Sequence, residues 1–134
     1  MMRDLVILAC AISSGIHGAL APEHFAEGVG PGVGFVAAAA LLAVLATAIT
    51  LRPASELALA GAAFVLAGLL ASYLLATTTG LPVLHPEPER VDGLALATKA
   101  IEAVGLLAAV AVHTRLKGTL TWTRRGPTAR SLLR

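Results

Sequence analysis

Charge is scarce in this sequence. Only 13% of its 134 residues are Asp, Glu, Lys or Arg, while 57% are hydrophobic; an ordinary soluble domain carries roughly 25% charged residues. With a mean hydropathy of +0.82, the composition is that of a membrane protein. Cysteine is nearly missing as well. The lone Cys10 excludes an intrachain disulfide, a CxxC redox pair and a zinc ribbon, and it lies too deep in an apolar run to be a reactive thiol. The sequence holds no G-x-S-x-G, no P-loop, no G-x-G-x-x-G and no H-E-x-x-H, and Gly28-Val29-Gly30 lacks a third glycine. These absences point to a non-enzymatic protein. The length allows one bundle and no second domain.

What is present is apolar and long. Leu5 to Leu20 is free of formal charge and bounded by Asp4 and Pro22, at the lower end of the roughly 17–25 residues a span needs. A cleaved secretory signal ending at Ala19-Leu20-Ala21 is the rival reading. Asp4 in its basic region and Ser13, Ser14, Gly15 and His17 in its apolar core count against it. The segment 22–32, PEHFAEGVGPG, reads as a turn-rich connector. Gly32 to Leu51 is an uncharged run that Arg52-Pro53 ends. Ser55 and Glu56 suit the N-cap and first turn of the next helix. That helix should stop at Thr77-Thr78-Thr79-Gly80, before Pro82. HPEPER (85–90) alternates prolines with charges and cannot be regular structure. The predicted fold is therefore all-α: an integral membrane bundle of four antiparallel spans, roughly 4–21, 32–51, 55–78 and 92–113, followed by a basic tail, 115–134. Gly61 and Gly68, among alanines, should give the third span close-packing ridges.

The charges orient these spans. Arg3, Arg52, Arg115, Lys117, Arg124, Arg125, Arg130 and Arg134 fall at the amino end, the middle connector or the tail. The other two connectors hold Arg90 alone, against Glu23, Glu27, Glu87, Glu89 and Asp92. The positive-inside rule then places both termini in the cytoplasm and the acidic connectors outside a bacterial cytoplasmic membrane.

The fourth span carries the chemistry. Lys99 and Glu102 lie three residues apart, on one helix face, where they can pair. A charge at membrane depth costs about 2.5–3.5 kcal/mol on insertion scales, so such groups face the protein interior. At 1.5 Å per residue, Lys99 lies about 9 Å and Glu102 about 13–14 Å below Gly93. His17 and Tyr73 each lie about one turn below the outer ends of their spans. An outward-facing polar pocket lined by His17, Tyr73, Lys99 and Glu102 is expected, for a small cation, proton or solute. The alternative is a structural or assembly subunit whose Lys99–Glu102 pair serves only helix packing. Above the pocket, His24, His85 and Glu87 offer imidazole and carboxylate to a divalent metal. Haem does not fit, since His17 and His113 fall near opposite faces and cannot bracket one iron. The basic tail, with Trp122, would attract anionic lipid; nucleic acid binding is not expected. So short a chain would work as a homo-oligomer or within a membrane complex.

The runs TTTGLPVLHPEPERVDGLALATKAIEAVGLL and HGALAPEHF resemble small four-span membrane proteins of GC-rich actinobacteria. The resemblance covers the outer half of the bundle. It implies that the two outer connectors and the fourth span form one assembly, and it implies no particular activity.

Overall fold

The computed structural model describes residues 1–80 and 88–124, with the side chains of 117–124 excepted. Four helices follow one another: α1 (Met2–Glu27), α2 (Val29–Leu51), α3 (Glu56–Thr78) and α4 (Gly93–Arg124). There is no strand among the described residues. Each helix is long and apolar enough to cross a membrane, and the chain is an all-α antiparallel bundle of a multi-pass type. The helices stand in cyclic order, each packed on its chain neighbour, with α4 closing on α1. Contact between α2 and α3 is the sparsest of the four adjacent pairs.

Local chemistry explains most of the boundaries. Ser55 caps α3 by accepting a hydrogen bond from the Ala58 amide at 3.2 Å, satisfying one of the donors that a helix start leaves unpaired. At the other end of α3, Thr79 closes the helix and Gly80 follows at φ 70°, a left-handed conformation that suits glycine. The Asp92 carboxylate accepts from the Ala95 amide at 2.7 Å and starts α4.

Two boundaries differ from the sequence expectation. The segment 22–32 is helical except for Gly28. A proline removes one intrahelical hydrogen bond, and here α1 runs through Pro22 because α2 packs along it. Phe25 covers the backbone of Gly32 so closely that a Cβ there would collide with its ring. The His24 ring also lies on Phe35, with centroids 3.6 Å apart. At the far end, α4 continues to Arg124, so the first ten residues of the expected tail are helix.

The dry core fills one half of the bundle. Cys10, Leu42, Ile49, Leu59, Leu66 and Ala109 are fully buried there, all in the half that holds Met1. Outward faces are apolar as well: Val44, Phe64 and Leu107 stand exposed. No more than 33% of any span's most apolar window is buried. An apolar surface of that extent requires a covering, which lipid supplies. Helices α1 and α4 also approach closely, since a Cβ on Gly105 would stand 2.5 Å from the Ala9 Cβ. Of the expected ridge on α3, Gly61 faces Leu45 at 3.1 Å, whereas Gly68 has nothing within 4 Å. In an alanine-rich span, small residues at regular spacing do not say which of them meets a neighbour.

Candidate functional site

Helix α4 places Lys99 and Glu102 on the face it turns toward α1. Glu102 has no exposed surface. One carboxylate oxygen, Oε2, accepts from Lys99 Nζ at 2.7 Å. The other, Oε1, accepts from Ser13 Oγ on α1, also at 2.7 Å. Both oxygens of a buried carboxylate are thus satisfied by charge-assisted or hydroxyl hydrogen bonds, as burial of a charge demands.

His17 sits one turn beyond Ser13 on the same face of α1. Its Nδ1 donates to the Ser13 carbonyl at 2.8 Å, which leaves Nε2 as the free lone pair of the neutral ring. That Nε2 is 3.9 Å from Glu102 Oε1, too far for a hydrogen bond. Lys99 also lies 5.5 Å from the centroid of the Tyr73 ring on α3, within reach of a cation–π attraction. The Tyr73 hydroxyl is buried and has no hydrogen-bond partner among the described residues. Ser14 binds the neighbouring helix instead, donating to the Ala39 carbonyl at 2.7 Å.

A cavity of about 640 Å³ occupies the centre of the bundle on the side away from the dry core. His17, Tyr73 and Lys99 form its inner end, and Leu20, Phe35, Leu69 and Leu94 supply apolar wall. Glu23, His24, Glu27, Glu89, Arg90 and Asp92 stand around its mouth. The connector is tied down at this rim, since the Glu89 amide donates to the Ala76 carbonyl at 2.9 Å. Four carboxylates thus face one guanidinium, and among the described residues none of the four carboxylates is ion-paired.

Three of the four expected pocket residues, His17, Tyr73 and Lys99, meet at the cavity. Glu102 lies beside them but behind Lys99, and does not line it. His24 stands at the mouth on Phe35. His85 and Glu87, the other two expected metal ligands, fall outside the described residues. Among those described, no three His, Cys, Asp or Glu side chains gather in a way that could hold a metal ion. Sequence reasoning missed two contributors. Ser13 could have been found, being four residues from His17 on one helix face. Phe35 could not, because nothing in a uniformly apolar run distinguishes the residue that turns inward.

Fold and site together define a multi-pass helical bundle with an ion-paired carboxylate between α1 and α4 and a cavity beside it. Compared with known proteins, the chain matches no protein family, no curated protein and no solved structure.

Proposed function

We propose that this chain is a non-enzymatic membrane protein that receives a small solute in its cavity from the outer side of a bacterial cytoplasmic membrane. The observation that carries this reading is the 640 Å³ cavity itself, enclosed by all four helices with His17, Tyr73 and Lys99 at its inner end. A pocket of that size, apolar along its walls with a few polar groups at its ends, is what small-molecule sites have in common. The charge distribution supports the orientation: the acidic mouth lies at the end opposite Met1, and the positive-inside rule puts that end outside. Binding is favoured over passage. Beyond Glu102 the bundle is closed by Cys10, Leu59, Leu66 and Ala109, all fully buried, and by the tight crossing at Gly105. A single chain therefore offers a one-sided receptacle, and conduction would require a second copy or a partner.

The test uses the protein extracted from its native membrane in lipid nanodiscs. Native mass spectrometry should show a bound small molecule other than lipid. Gly34 lines the cavity, and a Cβ there would meet nothing within 4 Å, so Gly34→Leu adds bulk at the cavity wall with no clash at its Cβ and should abolish that adduct. An adduct that persists in Gly34→Leu, or a native protein that carries none, removes the reading.

A second reading has its own support. Glu102 is sealed from the cavity and joins α4 to α1 through Ser13, as a structural fastening would. In that case the charged cluster serves assembly alone, and Gly34→Leu should change neither composition nor partners.

A further inference from the structure

We infer that the ligand of this cavity is an elongated organic cation: an amine at one end, an apolar middle and a hydrogen-bond acceptor at the other. The inference rests on the reading of the cavity as a binding site and names the chemistry it would select.

Size comes first. A proton or a bare metal ion does not need 640 Å³, whereas pockets of roughly 300–1,000 Å³ hold small organic molecules. Polarity then runs along the cavity. At the mouth, the carboxylates of Glu23, Glu27, Glu89 and Asp92 face Arg90 alone among the formal cations of the described residues, leaving an excess of negative charge there. At the inner end the one formal cation, Lys99, is already neutralised by Glu102 at 2.7 Å. The inner end is therefore nearly neutral, yet it offers donors: the ammonium hydrogens of Lys99 that Glu102 does not take. Between the two ends the wall is apolar, with the face of Phe35 held by His17 and His24 at centroid distances of 5.1 and 3.6 Å. An anion would meet like charge at the mouth, which costs affinity and slows entry. A cation is drawn in, and its far end needs an acceptor.

Asp92 and Lys99 fix the length. They are seven residues apart on α4 or its cap, about 10 Å along the axis, which a six-carbon chain with polar ends spans. Three water-soluble probes separate the possibilities: aminohexanol, hexanediol and hydroxyhexanoate, titrated calorimetrically against the full chain in nanodiscs. Aminohexanol should bind at least tenfold more tightly than hexanediol, and hydroxyhexanoate should bind weakest. Glu27→Gln combined with Glu89→Gln should reduce that preference severalfold while leaving hexanediol unchanged.

Equal binding of the three probes, or tighter binding of hydroxyhexanoate, overturns the cationic assignment. So does an amine preference that survives the two glutamine substitutions. If none of the probes binds while a co-purified molecule is lost in Gly34→Leu, the ligand class is wrong and the binding function stands. If no molecule co-purifies either, both fail together.

Discussion

Ser13 of α1 donates a 2.7 Å hydrogen bond to Glu102 of α4, across 89 residues of sequence. Together with Lys99, it completes the coordination of a carboxylate that has no contact with solvent. Removing either charge leaves the other buried and unpaired, which costs about 3–5 kcal/mol. Glu102→Gln and Lys99→Met should each destabilise the bundle by that order in a denaturation series. The double variant should recover much of the loss, because it leaves no orphan charge. Losses that simply add would show that the two residues do not act as a pair.

The two neighbouring serines should behave differently. Ser13→Ala takes a donor from a buried carboxylate and should cost about 1–3 kcal/mol. Ser14→Ala removes a hydrogen bond to a backbone carbonyl, Ala39, and such interhelical bonds average about 0.6 kcal/mol in membranes. Unfolding midpoints of the two variants, measured side by side, should rank in that order.

Gly105 and Gly68 make a second contrasting pair. A methyl group on Gly105 would meet Ala9 at 2.5 Å, so Gly105→Ala must push α1 from α4 and should cost about 1–3 kcal/mol, as overpacking does. Gly68 has open space around it, and Gly68→Ala should be neutral or stabilising by up to about 1 kcal/mol through helix propensity. Equal effects at the two positions would contradict the packing described.

Tyr73→Phe keeps the ring beside Lys99 and deletes a hydroxyl that has no partner among the described residues. The variant should be more stable by about 1–3 kcal/mol, the penalty of a buried polar group without a partner, as read in a denaturation series. No gain, or a loss, would show that the hydroxyl has a partner.

Sidedness can be read with cysteine labels in a Cys10→Ala background. Glu27→Cys and Asp92→Cys should react with an impermeant maleimide added to intact cells, and Arg52→Cys should not. The reverse pattern would invert the topology and place the cavity mouth on the cytoplasmic side.

How legible all this was depends on the kind of signal. The four helices could be read because charge-free runs are long and their ends carry local chemistry, such as Ser55 at a start and Thr79-Gly80 at a stop. The pairing of Lys99 with Glu102 could be anticipated from spacing and cost alone. The segment 22–32 misled because proline and glycine signal turns only where packing does not overrule them, and Phe25 on Gly32 does so. Phe35 and Gly105 gave no sign. In helices apolar on every side there is no polar face to reveal which residue turns inward, so such positions emerge only once neighbouring helices are in place.

Helix α4 runs unbroken for 32 residues, about 48 Å, and no proline interrupts it. Its apolar part is Gly93–Leu116, so the last two turns stand clear of that stretch and carry Arg124. Lys99 and Arg124 therefore belong to one continuous helix, so a tilt of its basic end has no proline hinge in which to be absorbed before it reaches the inner wall of the cavity.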